Sequence, residues 1–352
     1  MLTPAVPRAR VDVSAADRRR RVRLAWVLAG LAALLSGLGL VVGSHGFSVP
    51  TFIADLQGEQ ALLILGQIRA PRTVGALGVG ALLGLAGALA QGLFRNPLAD
   101  PYLLGSAAGA GLAVVLVLAA TSLAGVVIGV DAAQWLARLG VVVAAFLGAL
   151  AGVALTLSIA RGAQHTLRLL LAGVVVGVLL SAVGDLITTV SPLALRGRQA
   201  FLLGSTGYLG WSSVAVLASG LAVTLPLAMR RARALDALTL GEETAASLGL
   251  DLSRARSVLV VLLALCTGLA VSQAGLVAFV GLVAPHVVRR CAPAPHAYTL
   301  AASAATGGVL LLGADVLARG LVAPQELPVG VVTAVLGGIY LLWLLHRRGI
   351  DG

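Results

Sequence analysis

Residues 72–92 read RTVGALGVGALLGLAGALAQG, an apolar run with one charge at its start and glycine or alanine at more than half of its positions. A helix that crosses a membrane needs about 20 mostly apolar residues, and this stretch has that length. Its small residues let helices approach closely in lipid, where packing takes the place of the hydrophobic drive between helices. Working outward, runs of the same kind recur at 24–43, 102–121, 136–160, 167–190, 211–229, 257–274, 278–290, 298–314 and 328–346. The chain therefore reads as an all-α polytopic membrane protein with about ten transmembrane helices. The run at 278–290 is too short to cross alone and is expected to be tilted or partly re-entrant, buried by its neighbours.

Composition agrees. Of 352 residues, 59% are hydrophobic and 11% charged, and the mean hydropathy is +1.01. A soluble domain carries roughly 25% charged residues. The net charge of +11 would suit a nucleic-acid binder, but the charges fall in short clusters between apolar runs. That is where topology determinants lie, so lipid and not nucleic acid is the expected partner. All 25 basic residues are arginine. Without lysine there is no P-loop, whose Lys reaches the phosphates, and no Schiff base. If ATP is used, another chain binds it. Cys266 and Cys291 lack metal-site spacing and read as two small thiols.

Arginine placement sets the topology. The Arg-rich segment 1–23 precedes the first run, which is longer than the apolar region of a signal peptide and lacks a small-residue cleavage site after it. With that segment in the cytoplasm and ten crossings, nineteen of the 25 arginines fall inside, the bias expected of an inner-membrane protein. Residues 24–346 then form the transmembrane domain, 347–352 a cytoplasmic tail, and both termini are cytoplasmic. Two connections exceed a turn. Outside, 44–71 is expected to hold a short interfacial helix. Inside, 230–257 is the largest polar island, and its core, LGEETAASLGL at 240–250, reads as a short helix between glycine breaks. Glu242 and Glu243 occupy the first turn, where the helix dipole favours acids.

Embedded ionisable groups are the usual functional suspects in a membrane protein, and few are present. Asp185 lies within the fifth run, as a pathway-lining residue or as a polar residue near the outer interface. Asp100 and Asp315 sit at helix ends, and His286 follows Pro285. No carboxylates or histidines repeat at helical spacing, so neither a metal cage nor a proton relay is indicated. A secondary transporter normally shows midplane acids or unwound helices around its driving ion, and a membrane enzyme needs a reactive cluster. A conduit moved by an external motor fits better.

The punctuated segments carry the sharper signal. They are Arg69–Arg72, QGLFRNPLADPYLLG at 91–105, RLLLAG at 168–173, Gly204–Trp211, Gly241–Gly249, Gly275–Arg290 and Ala314–Gly338. In this order they resemble the FecCD-type permeases of binding-protein-dependent ABC importers, which include vitamin B12, haem and iron–siderophore permeases. The resemblance spans about 60–346. It implies a type II ABC importer permease that is no enzyme itself and works as a homodimer or with a paralogous permease. It also implies two cytoplasmic ATPase subunits, which bind ATP and Mg while this chain binds no cofactor, and a periplasmic or lipid-anchored substrate-binding protein. Under it, Gly241, Glu242, Glu243, Ala245, Leu248 and Gly249 would form the ATPase-coupling segment. Arg69, Arg72 and Arg319 would dock the binding protein, although Arg319 has Asp315 one turn back as an alternative partner. Asn96, Leu98, Thr166 and Leu167 would close the inner gate. An iron(III)–siderophore chelate is the expected cargo, with haem and cobalamin as alternatives. Gly337-Gly338-Ile339-Tyr340 departs from the glycine–x–proline–x pattern more usual there.

Overall fold

The computed structural model describes residues 15–43, 61–123, 132–162 and 165–348. Helix α1 (Ala15–Val41) comes first. A turn at Ala61–Leu63 and a π-helical turn at Ile64–Arg69 then run straight into α2 (Ala70–Phe94). There follow α3 (Ser106–Leu123), α4 (Ala132–Ile159), α5 (Thr166–Val190), α6 (Pro192–Leu203) and α7 (Trp211–Arg230). The remainder is α8 (Ala232–Thr239), α9 (Glu242–Ser247), α10 (Leu252–Ala274), α11 (Val280–Cys291), α12 (His296–Gly320) and α13 (Val329–Arg348).

The ten expected crossings correspond to α1 to α5, α7 and α10 to α13. Among the described residues seven helices are long and apolar enough to span alone, and α3 and α13 are shorter apolar helices. The doubtful eighth run is α11, only 12 residues with Pro285 inside. It starts after Phe279, whose φ of 66° breaks the chain direction. Gly337 of α13 makes room for that break, since a Cβ there would lie 2.3 Å from the Phe279 Cβ.

Helix α2 is the axis of the subunit. It is buried almost throughout, from Pro71 to Phe94, with α1, α7, α10, α11 and α12 packed around it. Close approach explains why its run is so rich in glycine. A Cβ on Gly84 would sit 2.1 Å from the Ser303 carbonyl of α12, and one on Gly87 1.7 Å from the Gly281 carbonyl of α11. Helices α3, α4, α5 and α6 form a second group that joins the first mainly through α10.

Three local expectations change. The second half of the loop 44–71 is the helical lead-in to α2, and the expected interfacial helix otherwise falls outside the described residues. Helix α10 starts at Leu252, because Asp251 Oδ1 accepts the Arg254 N–H at 3.0 Å and caps it. Helix α6 was not expected, because Arg196, Gly197, Arg198 and Gln199 interrupt its apolar pattern. Its ends carry the standard signals all the same. Ser191 Oγ accepts the Ala194 N–H at 3.3 Å, Pro192 opens the first turn, and Gly204 closes the helix at φ 63°.

Candidate functional site

At the end where α1 stops, the expected outer end, the three arginines turn into the protein. Four carbonyls at a helix C-terminus lack intrahelical donors, and in α1 these are met by guanidinium groups from elsewhere. Arg69 Nη1 donates to the carbonyls of Leu40 at 3.0 Å and Val41 at 3.3 Å. Arg319 Nη1 donates to those of Gly39 at 2.8 Å and Val42 at 3.2 Å. Arg319 also pairs with Asp315 on α12 at 2.5 Å, the alternative partner read from the sequence. Arg72 Nε reaches the other Asp315 oxygen at 3.1 Å, and its Nη1 reaches Glu326 at 2.8 Å. Thr206 Oγ1 completes the shell of Asp315, which is fully buried. Within the single chain the three arginines expected to dock a binding protein belong to an internal ion network joining α1, α2 and α12, since a guanidinium this deeply buried needs acceptors within reach. Of its members, only Glu326 has substantial exposure, 38% of its side chain.

Asp185 stands in the last turns of α5. It is largely exposed, and its carboxylate pairs with Arg198 of α6 at 2.8 Å. Arg198 also donates to the Ser181 carbonyl at 3.2 Å. The pair fixes α6 against α5, and Gly184 leaves the space the guanidinium occupies.

At the opposite end the polar island folds as two short helices. Helix α9 lies between Gly241 at φ 105° and Gly249 at φ 83°, backbone conformations that favour glycine. Ala245 is its buried anchor, while Glu243 and Leu248 are exposed, as is Leu240 just before it. Glu242 instead turns inward. Its Oε1 accepts from Arg256 of α10 at 2.6 Å and from Arg95, the residue that ends α2, at 3.3 Å. The Arg256 hydrogen bond, with the fields of Arg95 and His165 added, holds the Glu242 carboxyl below the usual carboxylate range. The carboxylate therefore stays charged until pH falls through that lowered value.

One of the two expected gate segments follows directly from a partner of this carboxylate. Arg95 immediately precedes Asn96 and Leu98, both exposed, where Asn96 Oδ1 accepts the Leu98 N–H at 2.9 Å. His165 immediately precedes Thr166, half-buried, and Leu167, exposed, at the start of α5. A second tie binds the island to α12. Asp236 of α8 accepts from the His296 backbone N–H at 3.0 Å and meets its Nδ1 at 2.7 Å. This carboxylate caps α12, whose own N-cap residue, Pro295, has no side-chain acceptor. Sequence reasoning missed Arg95, Arg256, Asp236 and His296 as partners: Arg95 and His296 stand 147 and 60 positions from the carboxylates they meet, and Arg256 meets Glu242 only because the chain reverses between α9 and α10.

Among known proteins, the FecCD transport family matches residues 31–347. The chain is similar to the Hemin transport system permease protein HmuU of Yersinia pestis, 41% identical over 330 residues that cover 93% of this chain and 96% of that protein. It is similar to the Cobalamin import system permease protein BtuC of Halobacterium salinarum, 36% identical over 92% of this chain and 88% of that one. The Vitamin B12 import system permease protein BtuC of Salmonella typhi is 37% identical over 94% and 97%. A solved structure, a metal-chelate type ABC transporter in an inward-facing conformation, superposes with a TM-score of 0.79 at 25% identity, covering 92% of this chain and 98% of that one.

Proposed function

Because the chain belongs to the FecCD transport family, we propose that it is the membrane permease of an ABC importer for a bulky metal chelate, driven by ATPase subunits that are separate chains. The observation that carries the reading is the placement of α9. It is a short helix held by one buried alanine on the side expected to be cytoplasmic, with Glu243, Leu240 and Leu248 exposed for a partner. The cargo is a large planar or chelated metal complex. Haem is the first compound to test, because the 41% identical relative is a hemin permease. Cobalamin follows on the strength of the B12 relatives. The siderophore chelate expected from the sequence remains a third member of the same class.

Two copies, or one copy with a paralogue, are proposed to enclose the route, since α2 fills the middle of a single subunit. Asp185 then stands beside that route on an exposed face of α5. Docking of a binding protein is proposed to run through Arg72, whose partner Glu326 reaches the surface. Arg69 and Arg319, engaged with α1 carbonyls, are proposed to hold the same docking end in place.

The test is reconstitution of the permease with its ATPase and binding protein in liposomes. ATP-dependent accumulation of haem or cobalamin is expected, and uptake that needs only an ion gradient would refute the importer. Leu248 is 66% exposed. Leu248→Asp is expected to weaken ATPase association roughly tenfold, the scale of one lost apolar contact of about 1.5 kcal/mol. Co-purification of the ATPase at increasing salt measures it.

A further inference from the structure

Glu242 is acidic, lies in the first turn of the coupling helix and is half-buried, yet it does not point where an ATPase contact would. Its carboxylate is shared between the guanidinium that ends α2 and one from α10. Arg256 is only 3% exposed, so Glu242 neutralises a cation the protein has already buried. Arg95 stands in the left-handed region at φ 49°, a conformation uncommon for a side-chain-bearing residue. That conformation turns the chain out of α2 into Asn96–Leu98. One carboxylate on a helix of six residues is therefore paired with the residue that precedes Asn96–Leu98, one of the two segments proposed to close the inner mouth.

We propose that Glu242 is a positioning residue that carries displacement of the coupling helix to the Asn96–Leu98 segment of the inner gate, through Arg95, leaving Glu243 to face the ATPase. The proposal rests on the importer reading above. The anchoring of α8 supports it. Asp236 and His296 fix that part of the island to α12, and the glycine at 241, with φ 105°, separates it from α9. A push on α9 is thus delivered at Glu242, with α8 held in place.

The experiment uses the assembled complex of permease, ATPase and binding protein, and reads two quantities. One is retention of the ATPase on size-exclusion chromatography. The other is the stimulation of ATP hydrolysis by binding protein. Arg95→Ala removes a half-exposed side chain and is expected to leave assembly and basal hydrolysis unchanged. Stimulation is expected to fall roughly fivefold or more, the scale of a coupling between sites. Arg95→Lys, which keeps the charge on Glu242, is expected to restore at least half of it. Glu242→Gln is expected to lower stimulation to the same level, and the double variant to lower it no further. Full stimulation in Arg95→Ala overturns the proposal, as does a loss that arises because the ATPase no longer co-elutes. A wild-type complex with no stimulation at all overturns the importer reading itself.

Discussion

Asp315→Ala is expected to abolish accumulation of folded permease. The carboxylate is completely buried, and it holds Arg72 and Arg319, themselves 8% and 2% exposed. Taking away one partner of a buried ion pair leaves an uncompensated charge and costs about 3–5 kcal/mol. Here two cations lose the same counter-ion. Whole proteins are stable by only about 5–15 kcal/mol, so little margin remains. Asp315→Asn keeps the shape and one acceptor and should fall between variant and wild type. Glu326→Gln removes the exposed partner of Arg72 and is expected to cost less than about 1 kcal/mol. Fluorescence-detected size exclusion and thermal unfolding in detergent rank the three. An Asp315→Ala protein with wild-type yield and unfolding temperature would mean that the network does not hold this end of the bundle.

Gly87→Ala is expected to be nearly as damaging, although it adds a single methyl group. The new Cβ would lie 1.7 Å from the Gly281 carbonyl oxygen and 2.4 Å from its carbon. Those atoms are backbone of α11, so no side chain can rotate away and the helix itself has to shift. Overpacking costs about 1–3 kcal/mol, occasionally more, and a clash with backbone lies at the upper end of that range. Gly30 of α1 is the control, since nothing lies within 4 Å of a Cβ there. Gly30→Ala is expected to leave the fold intact and to raise helix stability by a few tenths up to about 1 kcal/mol. Equal unfolding temperatures for the two variants would contradict the close crossing of α2 and α11.

The contrast between those glycines marks the boundary of what sequence can tell. Abundant glycine and alanine announce tight helix packing, and the spacing of apolar runs locates ten crossings with ends off by a few residues. Which glycine touches a neighbouring backbone depends on which helices cross, and local sequence holds no record of that. The same limit applies to the arginines. Arg69, Arg72 and Arg319 are recognisable as a group near one end of the bundle. Their direction depends on Asp315, Glu326 and the carbonyls of α1, brought together only by the fold. The glycine-bracketed helix at 242–247 was legible because its signals are local. The inward turn of Glu242 was not, because Arg95 is 147 positions away. Helix α6 is the harder case: Ser191-Pro192 and Gly204 spell both of its ends, but its polar middle breaks the apolar pattern between them.

The capping of α1 by Arg319 also says something about how the protein is made. The first helix leaves the ribosome early, with its carbonyl end facing water or headgroups. Arg69 follows within 29 positions and can close half of that end at once, but the second cation that closes it lies 280 positions later in the chain. Until synthesis reaches that point the first span has only half of its cap. The closure is complete when α12 arrives beside it.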